Sequence, residues 1–245
     1  MYWFFFFLLL LVAAPGSVAG GELVRRLPGF DGDLPFKLET GYINVDDSVE
    51  MFYYFVESEG NPNKDPLFLW LTGGPGCSAF SGLIYEAGPL EYNFEGFGGG
   101  LPKLRYYPYG RTKISSIIFL DEPVGTGFSY STTKEGWQSS DSISADQSYK
   151  FLLKWLDQHP QYASLPVFVG GDSYAGLIVP LVVKKIVDGN ENGMHSFTID
   201  LKGYLAGSPL TDWFIDLNSK VPMAHRMGIV TDELYEVPKY TYLIK

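Results

Sequence analysis

The 245 residues are 46% apolar and 19% charged, enough apolar surface for one sizeable core and too little charge for a disordered chain. With 28 acidic against 18 basic residues the net charge is −10, which repels phosphate backbones and anionic lipid surfaces and speaks against nucleic acid as a partner. Cys77 is the only cysteine, so a disulfide within the chain is excluded.

In chain order, residues 1–14 are almost wholly apolar and are followed by small residues and a proline. That run is short for a bilayer span, and Ser17 and Ala19 suit cleavage before Gly20. We read residues 1–19 as a secretory signal peptide and 20–245 as one domain with no stable membrane anchor after cleavage. The first residues lack Lys and Arg, so an uncleaved anchor is the alternative reading. Turn-rich residues 27–35 come next, then two strands at 37–43 and 50–57, antiparallel and joined around Asp46 and Asp47.

Residues 67–71 form a continuous apolar strand that runs into Thr72-Gly73-Gly74-Pro75-Gly76-Cys77-Ser78. Three glycines and a proline at the end of a buried strand make a rigid loop whose amides can point at an anion. A plain strand-to-helix turn explains that loop equally well when it is taken alone. After a glycine-rich loop at 95–100, the strand 117–120 ends in Asp121-Glu122-Pro123-Val124-Gly125-Thr126-Gly127. This segment lacks the Lys-Ser or Lys-Thr pair of a phosphate loop, so nucleotide binding is dismissed and neither a cofactor nor a metal is expected. Between 141 and 158, Ala145, Tyr149, Leu152, Leu153 and Leu156 share one helical face, and Pro160 stops the helix.

The stretch 166–189 is the centre of the chain. A short apolar strand at 167–169 is followed by small residues, then Ser173, then Leu177, Ile178, Leu181, Val182 and Ile186 at helical spacing, with Gly189 as the stop. Strand, sharp turn, serine and helix make a nucleophile elbow, although Ala175 stands at the second glycine of G-x-S-x-G. By itself Ser173 fits an ordinary helix cap equally well. A strand at 201–205, a turn at 207–209 and the start of a last helix at 232–236 complete an α/β pattern with a mostly parallel sheet.

In such folds an oxyanion hole takes one amide from the residue after the nucleophile and another from the loop after an earlier strand. Tyr174 and the loop at Gly73 and Gly74 match those sources. The segments Leu69 to Ser78, Phe119 to Tyr130 and Gly171-Asp172-Ser173-Tyr174 resemble the serine carboxypeptidase family over its N-terminal half. The resemblance implies an α/β-hydrolase fold, here C-terminally truncated, with Ser173 as nucleophile and the amides of Gly74 and Tyr174 as oxyanion hole. It also implies that Trp70, Thr72, Gly73 and Asp172 bind the substrate. In the family's peptidases a Trp, an Asn, a Gly and a Glu grip the C-terminal carboxylate. Here the Asn is Thr72 and the Glu is Asp172, which weakens carboxylate recognition. Those changes resemble the plant acyltransferase branch, which moves an acyl group from a glucose ester to an alcohol or amine.

The triad order of the fold is serine, acid, histidine. After Ser173 only His195 and His225 remain, and neither matches the family's base. The resemblance also gives Cys77 a disulfide partner far along the family sequence, which is absent here. The expectations are therefore a small acyl ester or peptide as substrate, turnover impaired in this chain, and an inert binding or regulatory fragment as the competing reading.

Overall fold

The computed structural model describes residues 21–193 and 196–236. The expected signal peptide, His195 and the C-terminal residues 237–245 lie outside the described residues. Among those described, no helix is long and apolar enough to cross a membrane.

Within the described residues, ten strands and five α-helices follow the alternation read from the sequence. They are β1 (Glu22–Val24), β2 (Leu38–Asp46), β3 (Val49–Val56), β4 (Leu67–Leu71), β5 (Leu90–Asn93), β6 (Lys103–Tyr106), β7 (Ser116–Leu120) and β8 (Tyr130–Ser131), then α1 (Asp141–Gln158), β9 (Val167–Asp172), α2 (Ala175–Glu191), β10 (Leu201–Gly207), α3 (Trp213–Asn218), α4 (Lys220–Arg226) and α5 (Asp232–Glu236). The main sheet runs β1-β2-β3-β7-β4-β9-β10, with β8 pairing β3, while β5 and β6 form a separate hairpin. From β1 to β7 the pairing is antiparallel, and from β7 through β4 and β9 to β10 it is parallel. The parallel half carries the motifs, because its strands all deliver their C-terminal ends to one edge.

Side-chain chemistry explains this order. All five residues of β7, Ser-Ile-Ile-Phe-Leu, are buried, as a central strand covered on both faces requires. In β4 the alternation sends Leu67, Leu69 and Leu71 to full burial beneath α1 and α2. Phe68 and Trp70 face the other way, where a π-helical turn at Gly82–Glu86 and the β5–β6 hairpin supply a second, smaller core around Leu83, Leu90, Ile117 and Phe119. Each buried Leu, Ile or Phe contributes about 1.5–3 kcal/mol. Ser140 caps α1 by accepting from the Ile143 amide at 3.3 Å.

One expectation is corrected. Gly189 does not stop α2, which runs on to Glu191 and ends at Asn192. A Cβ at 189 would collide with the Tyr149 hydroxyl of α1, so the glycine lets the two helices pass closely rather than break one. The termination falls instead to Asn190 and Asn192: the Asn190 side chain bonds both backbone groups of Ile199, at 2.9 and 3.0 Å, and pulls the chain out of the helix.

At the end of β7 two acids are buried. Asp121 is wholly inaccessible, and Glu122 is 4% exposed and accepts a hydrogen bond from Ser144 of α1. Burial pushes the Glu122 carboxyl up to about 7.

Two outcomes follow from these contacts. Helix propensity alone favours alanine over glycine by about 1 kcal/mol. In urea denaturation Gly189→Ala is nevertheless expected to lose about 1–3 kcal/mol through overpacking, with partial recovery when Tyr149→Phe is added; a stabilised single variant would refute the packing role. For Glu122, the unfolded chain has released its proton above an ordinary value of about 4.3 while the folded chain keeps it to about 7. Stability is therefore full below the lower value and falls as pH rises through that window, by no more than about 4 kcal/mol in total, and Glu122→Gln should flatten the slope. Identical slopes in denaturation midpoints from pH 4.5 to 7.5 would remove Glu122 as the cause.

Candidate functional site

The site forms where β4, β7, β9 and β10 end. Between β9 and α2 the chain turns at Ser173, whose φ of 53° is left-handed and strained for a residue with a Cβ. Backbone bonds hold it there: the Ser173 amide donates to Gly207 O at 2.9 Å, and its carbonyl accepts from Gly176 at 3.0 Å and Leu210 at 2.8 Å. The side chain stands exposed above the sheet. This is the elbow that the sequence predicted, with the backbone strain that such a turn requires.

The loop after β4 lies directly against it. A Cβ on Gly73 would sit 2.7 Å from the Ser173 Cβ and 2.8 Å from the Tyr174 amide nitrogen, so only glycine permits this approach. Gly73 donates to Asp172 Oδ1 at 3.0 Å, which locks the loop to the end of β9. Gly74 has a φ of 125°, a conformation that a side chain would resist, and a cis bond joins it to Pro75. The Cys77 amide closes the turn onto Gly73 O at 3.2 Å. Among the described residues, the amides of Gly74 and Tyr174 donate no hydrogen bond. Two unsatisfied N–H groups beside an exposed serine hydroxyl can stabilise a developing oxyanion.

Asp121 braces this arrangement from below. Its Oδ1 accepts from Ser78 Oγ at 2.8 Å and the Ala79 amide at 2.7 Å, and its Oδ2 from the Phe128 amide at 2.9 Å. One carboxylate thus fixes the loops that follow both β4 and β7. Burial raises its pKa, and these donors work in the opposite direction.

The remaining predicted residues form the flank. Trp70 Nε1 donates to Glu86 Oε2 at 2.7 Å, and Thr72 Oγ1 approaches the same oxygen at 3.4 Å. Burial, and then the negative field of Asp172, raise the Glu86 pKa. Trp70 and Thr72 thus meet on Glu86, a carboxyl that the sequence reading missed, while Gly73, Asp172, Ser173 and Tyr174 come together at the turn itself. Glu86 sits at the end of an apolar π-helical turn, and no periodicity marks it. Asp141 was also missed: it receives the Tyr174 hydroxyl at 2.9 Å, which raises the phenol's pKa. Trp213 packs edge-on to Tyr174, with ring centroids 6.3 Å apart.

No described residue makes a hydrogen bond to Ser173 Oγ. His225 is bound to Asp232 at 2.6 Å and stacks on Tyr235, while His159 is buried between Glu39 and the Trp155 carbonyl. Cys77 is unpaired and exposed. Among the described residues, no group of His, Cys, Asp and Glu side chains is placed to hold a metal ion.

Comparison with known proteins bears on the family and the fold. A family model described as serine carboxypeptidase matches residues 28–242. Serine carboxypeptidase-like 2 of Arabidopsis thaliana is 52% identical over 226 residues, 91% of this chain and 51% of the relative. Serine carboxypeptidase-like 16 from the same plant is 51% identical over 222 residues, 89% of this chain and 51% of the relative. The chain thus spans about half the length of the curated relatives it matches. Among solved structures, the prohormone-processing carboxypeptidase Kex1 of Saccharomyces cerevisiae superposes with a TM-score of 0.71 at 23% identity, covering 86% of this chain and 49% of that one. That likeness establishes the α/β-hydrolase fold. With its family motifs assembled around one strained serine, the chain belongs to the serine carboxypeptidase family.

Proposed function

We propose that the site performs acyl transfer from a glucose ester to an alcohol or amine through an acyl-serine intermediate. The observation that carries this reading is the juxtaposition of the exposed, left-handed Ser173 with the unbonded amides of Gly74 and Tyr174. Ser173 Oγ attacks the ester carbonyl and the two amides receive the negative oxygen. The bond to the sugar oxygen breaks, and that oxygen takes up the proton released by the serine. The acceptor's oxygen or nitrogen then attacks the acyl-serine carbonyl, the acyl–serine bond breaks, and the proton lost by the acceptor restores the Ser173 hydroxyl.

Acyl transfer is favoured over trimming of peptide C-termini by the charges on the flank. Asp172 is committed to Gly73 as an acceptor, Glu86 lies within its field, and Thr72 carries no amide donor. None of the contacts described around Trp70 and Thr72 brings a cation to balance a substrate carboxylate. The apolar leader places the protein, in this reading, in the secretory pathway, extracellular or vacuolar.

Turnover also needs a base. Within the described residues Ser173 has no histidine partner. A serine triad deprived of its base retains about 10³ to 10⁴-fold catalysis over water. That observation favours a second reading for these 245 residues by themselves: a binding or regulatory fragment that engages acyl esters without efficient turnover.

A fluorophosphonate probe tests the nucleophile. The folded chain should be labelled slowly at one site, Ser173→Ala should abolish labelling, and Gly73→Ala should reduce it at least tenfold by pushing the loop off the serine. Labelling that survives Ser173→Ala would overturn the assignment. For substrate class, a chimera completed with the remaining half of serine carboxypeptidase-like 2 should use an acyl-glucose in preference to a blocked dipeptide. Adding Thr72→Asn and Asp172→Glu should shift the kcat/KM ratio toward the dipeptide by about tenfold to a hundredfold, the equivalent of about 1.5–3 kcal/mol for a hydrogen bond to a charged group. Efficient dipeptide cleavage before those changes would sink the acyl-transfer reading.

A further inference from the structure

Beside the elbow lies an open-mouthed cavity of 230 Å³, formed where the starts of α1 and α2 meet the loops after β4 and β7. Thr72 and Pro75 form one wall and Tyr174 another, so it adjoins the proposed nucleophile without including it. At about 30 Å³ per water it has room for roughly seven waters or one substituted six-membered ring. That is below the roughly 300–1,000 Å³ of pockets that take whole drug-sized ligands. The space suits one moiety of a substrate.

The chemistry of the walls narrows that moiety. Glu122 is nine-tenths and more buried, and its Oε2 is taken by Ser144. Its Oε1 has no hydrogen-bond partner among the described residues, although Glu122 lines the cavity. That oxygen is reached by solvent rather than sealed in the core, so it is free to accept from a molecule in the cavity. Asp141 stands on the same wall, with Oδ1 accepting from the Tyr174 hydroxyl and Oδ2 making no described hydrogen bond. Ser139 adds a hydroxyl at the exposed rim. Among the described residues no lysine, arginine or histidine lines the space, so a carboxylate or phosphate would find no cation to balance it beside Asp141. Pro123, Ala175 and Ile178 provide apolar surface on which the C–H face of a ring can rest.

We infer that this cavity is a subsite for a neutral, hydroxyl-bearing ring, whose hydroxyls donate to Glu122 Oε1 and Asp141. A carboxyl held near 7 by burial is half protonated at neutral pH, which suits a hydroxyl better than an ammonium ion. The inference deepens the proposed acyl transfer, since the ring would be the sugar end of the ester or a cyclic acceptor alcohol, and it rests on that reading for the role of the neighbouring serine.

Ligand-observed NMR titration of the chain at pH 6.5 tests it, with three probes of similar size: methyl β-glucopyranoside, cyclohexanecarboxylate and cyclohexylammonium. The expected result is saturable binding of the glucoside alone, weakened at least tenfold by Glu122→Ala. Because that variant touches a buried residue, Ser139→Phe fills the cavity from its rim at an exposed position and should weaken binding equally with the fold intact. Glucoside binding that is indifferent to Ser139→Phe, or tighter binding of either charged probe, would overturn the proposal. Labelling of Ser173 by a fluorophosphonate with no saturable glucoside binding would discard the subsite and leave the acyl-transfer reading standing. Glucoside binding without labelling would do the reverse.

Discussion

The site depends on a single backbone constraint, the left-handed turn at Ser173. A residue with a Cβ at a φ of 53° carries about 1–3 kcal/mol of strain, and something must hold it there. The restraint comes from the next strand and the turn that follows it. Gly207 O receives the Ser173 amide and the Leu210 amide reaches the Ser173 carbonyl. The small residues around the turn are consequences of the same constraint. Gly171 must pass close to the Leu71 carbonyl, and Gly73 must lie against the serine Cβ, for the loop after β4 to reach the turn at all.

A second layer of control is electrostatic, and its sign is negative throughout. Asp121 organises the two loops by accepting three hydrogen bonds, Glu86 gathers Trp70 and Thr72, Asp172 orients Gly73, and Asp141 anchors Tyr174. Each carboxyl acts as an acceptor for a group that must be fixed in direction, which is how carboxylates position backbone amides and hydroxyls at short range. The accumulated charge has a chemical consequence. A substrate with a free carboxylate approaches against Glu86 and Asp172, whereas a neutral ester does not.

The legible parts of the sequence were those set by local pattern. The strand at 67–71 and the helix at 141–158 have the bounds that their apolar runs and Pro160 imply, and the parallel half of the sheet follows from the alternation of strand and helix. The elbow was legible because its turn requires small residues at fixed offsets from the serine. Gly189 was misread because a glycine near the end of a helical pattern looks the same whether it caps the helix or clears a neighbour. Only the position of Tyr149, forty residues earlier in the chain, separates the two. Glu86 and Asp141 were missed for a related reason: each earns its role from a partner on another element, and a lone acid on a short turn or at a helix start carries no pattern of its own.

The two sides of the elbow are unequally secured, and this bears on how the site keeps its shape. On one side β9 and α2 are bound into the larger core, where Val167, Val169, Ile178, Val179, Val182 and Ile186 are all buried. On the other side β10 exposes most of its side chains, with Tyr204 and Leu205 about half open to solvent, and Leu205 and Phe168 line a groove of 550 Å³ on that face. The hold of β10 on Ser173 therefore comes from parallel backbone pairing with β9 rather than from burial of its own residues. Elements with few buried apolar contacts open at the lowest free energy, and the strand that restrains the serine is of that kind. Anything that covered this face would stabilise β10 first, and through Gly207 and Leu210 it would tighten the turn that presents Ser173.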